Sequence, residues 1–234
     1  DGVMAARGDM AVETSAEIVP IVEREIIRLC RKYGKLSIVA TQMMASMVDS
    51  PEPTRAEVSD VATAAILGTD VVMLSDETAN GNYPVETVKM MADTVRYTQS
   101  RWPMNDMPIE EGEANRRRNA IAHAAVEVAE RVDADLIIAE TKSGATAARI
   151  AALRPELPII AVTPSPRVAQ QLALSYATRS YVRDDEEHAG VNVAKELLTT
   201  GKYSSNGRLV VVVVSGRQPG ATGGTDTLRV RVIE

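Results

Sequence analysis

Cysteine is nearly absent from this sequence, since Cys30 is the only one among 234 residues. A single thiol cannot form a disulfide within the chain, which favours a reducing compartment, and we expect a cytoplasmic location. No apolar run reaches the roughly 18 residues that a membrane-spanning helix requires, and we expect no signal peptide before Asp1. These absences predict a soluble, folded protein with no membrane partner.

Excess positive charge is also absent. The 26 lysines and arginines are outnumbered by 32 acidic residues, which gives a net charge of -6. Such a chain has no general attraction for nucleic acid or acidic membranes, and we expect no nucleic-acid partner. The only dense basic cluster is Arg116–Arg118, which we interpret as the solvated start of a helix.

The chain has no initiator methionine and begins within an apparent strand, so we expect a fragment of a longer protein. Apolar material is plentiful, because 45% of the residues are hydrophobic. That share and the length suffice for the core of one large domain or of two ordinary domains.

The first hundred residues predict three consecutive units, each a strand followed by a helix. The strands lie near Gly2–Ala6, Leu36–Ala40 and Asp70–Leu74, and the helices cover Ala16–Tyr33, a segment from about Arg55, and Pro84–Gln99. Thr54 and Glu57 predict a capping box at the start of the second helix. Alternation of this kind indicates a parallel sheet with right-handed crossovers.

A second α/β pattern follows a predicted linker at residues 106–117, which separates domains at 1–105 and 118–234. Its five strands are predicted at 135–140, 158–162, 179–182, 208–214 and near Thr227–Ile233. The run LVVVVV, which begins at Leu209, is apolar on both faces. We therefore expect this strand to lie inside its sheet and not at an edge.

The tripeptide Arg7, Gly8 and Asp9 follows the first predicted strand. A carboxylate at the mouth of a parallel strand, beside a glycine that allows close backbone approach, can ligate a divalent cation. The amides of Gly8 and Asp9, with a following helix that Thr14 can cap, could hold a substrate carboxylate. The alternative is that Asp9 only closes a loop.

Polar residues also end the next two strands. Thr41 follows the second strand, where α/β folds place their ligands, and we interpret it as a functional residue. The alternative is a helix cap or a satisfied hydroxyl. Ser75, Glu77 and Thr78 follow the third strand and form the next candidate group.

In the second half, a strand is joined to a helix by small and polar residues. They are Thr141, Lys142, Ser143, Gly144 and Thr146. Hydroxyls, amides and a lysine at a helix N-terminus form a phosphate cradle. It is not a Walker loop, because the GxxxxGK[ST] spacing is absent. The alternative is an ordinary strand-to-helix turn.

Three motifs in this order, ARGDMAVE, ATQMM with PEPTRAEVSDVA, and VMLSDETANGNYPVE, closely resemble pyruvate kinase. The resemblance implies the last three units of a (β/α)8 barrel, followed by an α/β domain with a five-stranded mixed sheet. Two positions depart from the family pattern, because Ala11 and Asp76 replace its usual glycines. The charge and Cβ of Asp76 put the local turn in question.

The resemblance also implies roles in the first half. Asp9 would be a ligand of Mg2+ or Mn2+, and the backbone of Gly8 and Asp9 would contact phosphoenolpyruvate. Thr41 would contact the substrate and help relay a proton to the enolate. Ser75 and Glu77 are the other catalytic candidates.

In the second half, the resemblance implies an effector loop made of Thr141, Lys142, Ser143, Gly144 and Thr146. The segment SGRQPGATGGTDT resembles the loop that closes over the same pocket, and it adds the effector-binding candidates Arg217, Gly220 and Gly223. Ala145 stands where an arginine is common. The effector would be a sugar phosphate, such as fructose 1,6-bisphosphate, or a nucleotide.

Other parts of the family's active site are implied to lie upstream: the catalytic lysine, a glutamate ligand of Mg2+, and the ligands of K+ and the nucleotide. We therefore expect an inactive fragment of an enzyme that transfers phosphoryl from phosphoenolpyruvate to ADP, giving pyruvate and ATP. The parent would be a homotetramer. Two alternatives stay open, a noncatalytic phosphometabolite-binding module and another phosphoenolpyruvate-using barrel enzyme; the second-half pattern argues against the latter.

Overall fold

The computed structural model describes residues 1–102, 116–204, 206–216 and 224–234. The chain divides into two compact units, Asp1–Met107 and Pro108–Glu234. Within the described residues, no helix combines the length and the apolar character needed to cross a membrane.

The first unit contains the three predicted parallel strands. They are β1, Gly2–Ala6, β2, Leu36–Ala40, and β3, Val71–Val72, in the order β1-β2-β3. Its helices are α1, Arg7–Glu13, α2, Val19–Lys32, α3, Arg55–Leu67, α4, Asp76–Ala79, and α5, Pro84–Arg101, with a short 3-10 helix at Ala45–Val48. β3 is shorter than predicted, since its register with β2 covers two positions only.

Helix α1 replaces the loop that the sequence predicts after β1, and the predicted N-cap role of Thr14 is wrong. The amide and the hydroxyl of Thr14 both donate to the carbonyl of Met10, at 3.0 and 2.7 Å. Thr14 therefore ends α1, and α2 begins later, at Val19. An N-cap oxygen must face free amides at a helix start, whereas Thr14 faces a carbonyl at a helix end.

The predicted capping box at the start of α3 is confirmed. Thr54 Oγ1 accepts the amide of Glu57 at 3.3 Å, and a Glu57 carboxylate oxygen accepts the amide of Thr54 at 2.7 Å. Gly68 ends the helix with φ of 77°, a left-handed conformation that suits glycine. Beneath α3 lies a core rich in methionine, in which Met43 and Met47 are fully buried.

The second unit is a five-stranded mixed sheet with helices on it, as predicted. The strands are β4, Leu136–Glu140, β5, Ile159–Thr163, β6, Thr178–Val182, β7, Leu209–Gly216, and β8, Thr225–Ile233. The helices are α6, Arg116–Arg131, α7, Ala145–Ala152, α8, Pro166–Leu172, and α9, Ala189–Thr199.

The strand order of this sheet is β6-β5-β4-β7-β8, with only β8 antiparallel to its neighbour. The LVVVVV run forms most of β7 and is buried, which confirms that this strand lies inside the sheet. The chain leaves β4 toward β5 and β6 and returns on its other side at β7. Ligands of such sheets bind at the carboxyl ends of the strands beside this reversal.

Candidate functional site

In the first unit, the ends of β1 and β2 meet through a hydrogen bond between Gly8 and Thr41. The Gly8 amide, in the first turn of α1, donates to Thr41 Oγ1 at 2.9 Å. Two of the predicted site residues are therefore brought together. A Cβ on Gly8 would meet Thr41 Oγ1 at 3.7 Å, an ordinary contact, so its amide matters here and not its lack of a side chain.

Thr41 and Gln42 both have left-handed backbones, with φ of 72° and 52°. This conformation is uncommon for non-glycine residues and costs a β-branched residue on the order of 1–2 kcal/mol. Arg7 holds it, because its Nη2 and Nε donate to the Thr41 carbonyl at 2.7 and 3.2 Å. Strain of this kind, maintained by surrounding contacts, is typical of functional sites.

Arg7 is itself held by two carboxylates, through an ion pair with Asp60 and a longer contact of 3.7 Å with Glu23. Burial raises the pKa of Glu23, while the nearby Arg7 charge works against that rise. The sequence analysis missed this network. The only signal for it was an arginine directly after a predicted strand, because a charge that becomes buried there needs partners from elsewhere in the fold.

Asp9 lies exposed in the first turn of α1. Its carboxylate is the oxygen donor that Mg2+ prefers. Among the described residues, no group of three or more His, Cys, Asp or Glu side chains could hold a metal ion. Asp9 therefore fits one position in a magnesium site, and the described residues do not complete such a site.

Glu77 is 2% exposed and connects the segments that follow β2 and β3. Its two carboxylate oxygens accept the amides of Met44, at 3.1 Å, and Ser75, at 2.7 Å. These contacts join the segment that follows Thr41 to the segment that follows β3. A catalytic role for Ser75 or Glu77 stays a prediction.

The unusual Asp76 fits its turn without strain. It begins α4, and its φ is not among the positive values of the described residues. Its Oδ1 accepts a hydrogen bond from Asn80 Nδ2 at 3.0 Å. Glycine is therefore not required at this position.

In the second unit, a cleft of about 840 Å3 opens at the carboxyl ends of β4, β5 and β6. Thr141, Lys142, Ser143 and Thr146 line it, so the structure brings these predicted effector residues together. Gly144, at the start of α7, has φ of 82°, and a Cβ there would press on Val168 at 3.2 Å. The predicted residues Arg217, Gly220 and Gly223 lie outside the described residues.

Several arginines to which the sequence analysis gave no binding role also line this cleft, among them Arg118 and Arg149. Arg149 Nε donates to Asn119 Oδ1 at 3.1 Å, and burial, then the neighbouring Arg118 charge, lowers its pKa. Arg149 lies four residues after Ala145, one helical turn away. The four-residue spacing could have indicated that Arg149 places a positive charge near Ala145, the position where the resemblance expects an arginine.

Comparison with known protein families gives one match within each of the two units. A profile of the pyruvate kinase barrel domain matches residues 1–88, and one of the pyruvate kinase alpha/beta domain matches residues 119–231. The chain belongs to the pyruvate kinase family. This confirms both the resemblance and the predicted fold class, a partial barrel followed by an α/β domain.

Curated relatives within the pyruvate kinase family match along the whole sequence. Pyruvate kinase 2 of Synechocystis sp. is 42% identical over 100% of the chain and 39% of the relative's own length. Pyruvate kinases of Clostridium acetobutylicum and Agrobacterium vitis are 39% and 44% identical, over 100% and 98% of the chain. The chain spans half or less of the length of these relatives.

Proposed function

We propose that this chain is the C-terminal part of an enzyme that transfers the phosphoryl group of phosphoenolpyruvate to ADP, giving pyruvate and ATP. The observation that carries the proposal is the hydrogen bond from the Gly8 amide to Thr41 Oγ1, which joins two strand-end motifs in the matched barrel region. The relatives named pyruvate kinase support the same assignment.

Within this activity, the amides at the start of α1, near Gly8 and Asp9, would bind the anionic substrate. Thr41 Oγ1, held by the Gly8 amide, would contact the substrate and help move a proton to the enolate. Asp9 would hold Mg2+ or Mn2+, which neutralises charge on the transferred phosphoryl group. The K+ site would lie outside this chain, and the parent would be a homotetramer.

The isolated chain has no kinase activity in this proposal, because the described residues do not complete a metal site. A lactate-dehydrogenase-coupled assay on the purified 234-residue chain tests this, with a full-length relative as the positive control. If the isolated chain turns over phosphoenolpyruvate and Asp9→Ala abolishes that turnover, the proposal that its active site is incomplete is wrong.

A chimaera tests the assigned roles directly. The upstream part of the Synechocystis relative, joined to this chain at Asp1, would supply the remaining barrel units. Asp9→Asn should cut turnover severely and weaken Mg2+ dependence. Thr41→Ala should slow proton exchange into pyruvate with less effect on metal dependence, while Thr41→Ser should retain the hydroxyl and most of the exchange. Equal, mild effects of Asp9→Asn and Thr41→Ala would refute these roles.

A second function is proposed for residues 118–234, the binding of a phosphorylated metabolite. The N-cap of α7 is Gly144, which has no side chain to cap the helix amides, and Lys142 and exposed Ser143 precede it in the sequence and line the cleft. Thr146 Oγ1 is tied to Thr225 Oγ1 at 2.7 Å, which anchors the turn. Such a helix start favours a bound anion.

Calorimetric titration of the full chain with fructose 1,6-bisphosphate, ribose 5-phosphate, glucose 6-phosphate and AMP tests the second function. Binding that disappears in the Lys142→Ala, Ser143→Ala double variant is expected. If none of the four ligands binds, or if binding survives both substitutions, the segment is only a strand-to-helix turn. Ligand binding without kinase activity in the chimaera would instead favour a noncatalytic binding module.

A further inference from the structure

The cleft of the second unit contains an acidic segment, Asp184–Glu187, that faces the proposed phosphate loop. The segment joins β6 to α9, and all four of its residues line the cleft. One of them reaches the loop directly, because Asp185 Oδ2 lies 2.6 Å from Lys142 Nζ. The ammonium that would meet a phosphate is therefore already paired with a carboxylate.

A second carboxylate occupies the other helix start beside β4. Glu140 Oε1 accepts the amide of Gly190, in the first turn of α9, at 2.7 Å. A Cβ on Gly190 would lie 2.7 Å from the same oxygen, so the glycine permits this approach. This helix start already holds a carboxylate, whereas the N-cap of α7 is Gly144, which has no side chain to cap its helix. An incoming phosphate is thus directed to Lys142 and α7.

We propose that Asp185 is an internal competitor for the phosphate site and determines its affinity and selectivity. This inference rests on the proposed phosphate-binding function. A phosphate that approaches Lys142 must displace the Asp185 carboxylate or lie beside it. In either position the negative charge of Asp185 repels the negative charge of the phosphate and opposes binding. The opposition grows with the charge of the ligand. Asp185 therefore disfavours bisphosphates more than monophosphates.

The ion pair is weak enough to be displaced. The side chains of Lys142 and Asp185 are 31% and 39% exposed, so solvent and salt screen their attraction. Exposed pairs of this kind contribute at most about 1 kcal/mol, which corresponds to roughly a fivefold change in affinity. Removal of the Asp185 charge should raise affinity by a factor of that order at low salt, and by less at high salt.

The test uses the full chain and compares Asp185→Asn with Asp184→Asn. Both substitutions remove one negative charge from the same segment, but Asp184→Asn retains the pair with Lys142. Inorganic phosphate, ribose 5-phosphate and fructose 1,6-bisphosphate are titrated calorimetrically into each protein. Asp185→Asn should tighten binding of all three, most for the bisphosphate, and Asp184→Asn should have a smaller effect.

A double-mutant cycle shows whether the effect acts through Lys142. In a Lys142→Met background, Asp185→Asn should increase affinity no more than Asp184→Asn does. If binding depends on Lys142 but Asp185→Asn leaves its affinity unchanged or lower, Asp185 is not a competitor. The proposed phosphate site would still be supported in that case. If neither the unaltered chain nor Asp185→Asn binds any of the probes, both the phosphate site and the competitor are refuted. Binding by Asp185→Asn alone supports both.

Discussion

The guanidinium of Arg7 donates two hydrogen bonds to the carbonyl oxygen of Thr41, at 2.7 Å from Nη2 and 3.2 Å from Nε. The two bonds hold a threonine whose φ is 72°. The same guanidinium faces Asp60 and Glu23. The backbone at the proposed substrate contact is therefore coupled to a largely buried charge network, and the electrostatics of that network can be measured.

Glu23→Gln should stabilise the first unit at pH values above the ordinary glutamate pKa of 4.5 and reduce the pH dependence of its stability. Burial raises the Glu23 pKa above its ordinary value of 4.5. The folded state then binds the proton more tightly than the unfolded state. The stability that this proton binding at Glu23 contributes is complete below about pH 4.5, and it is lost as pH rises through the pKa of Glu23 in the folded state.

Urea unfolding of the Glu23→Gln chain, followed by the fluorescence of the single tryptophan Trp102, measures this effect at several pH values. The control is Glu25→Gln. Its exposed carboxylate has a pKa lowered by the hydrogen bond from Arg28, so its effect on stability should have the opposite sign. A Glu23→Gln chain that is less stable at pH 7.5 would contradict the prediction.

Glu57→Gln should weaken the first unit at neutral pH and flatten its acid transition. Partial burial raises the Glu57 pKa, but hydrogen bonds from Ser46 and Thr54 lower it more, and the net pKa is below 4.5. The stability it contributes is therefore present above pH 4.5 and is lost as pH falls through the folded pKa.

Circular dichroism of acid unfolding would record the effect of Glu57→Gln. Thr54→Ala gives a matched comparison at the same cap, because it removes one capping oxygen without changing a charge. It should cost about 1 kcal/mol above pH 4.5 and less in acid, because the Thr54 hydroxyl also donates to the Glu57 carboxylate at 2.8 Å. Parallel pH profiles for Glu57→Gln and the unaltered chain would refute the assignment.

Glu77→Gln should loosen the segments that follow β2 and β3, the first of which begins at Thr41. The amides of Met44 and Ser75 each donate to one oxygen of the buried carboxylate. Glutamine can accept only one of the two bonds, so a loss of about 1–3 kcal/mol is expected. Hydrogen exchange of peptides around Met44 should become faster, whereas the exposed neighbour substitution Asp76→Asn should leave it unchanged. Equal exchange in both variants would count against this role.

Gly190→Ala should destabilise the second unit by about 1–3 kcal/mol, because overpacking forces neighbours to move. The added Cβ would lie 2.7 Å from Glu140 Oε1 and 2.9 Å from Ile138 Cγ2. Hydrogen exchange in β4 and α9 peptides would report the change. Adding Glu140→Ala should restore part of the protection, since it removes one of the two contacts. No change on Gly190→Ala would show that α9 shifts freely.

Local pattern by itself determined most of the fold. The LVVVVV run predicts an inner strand because both of its faces are apolar, and β7 lies between β4 and β8. Thr54 and Glu57 predict a capping box because its partners are three residues apart, and the structure has it. The family was also readable, since the motifs that carry it are continuous segments of sequence.

Only the tertiary structure decided how the sites are built. Thr14 is a residue type that often forms an N-cap, yet it ends a helix here. The reason is that the chain already forms helix α1 before it, so Thr14 meets the carbonyl of Met10 and not free amides. The left-handed Thr41 depends on Arg7, and the charge of Lys142 is met by Asp185. The pairs Arg7–Thr41 and Lys142–Asp185 join residues far apart in sequence. Strand register and loop paths bring them together, and no short segment of sequence contains that geometry.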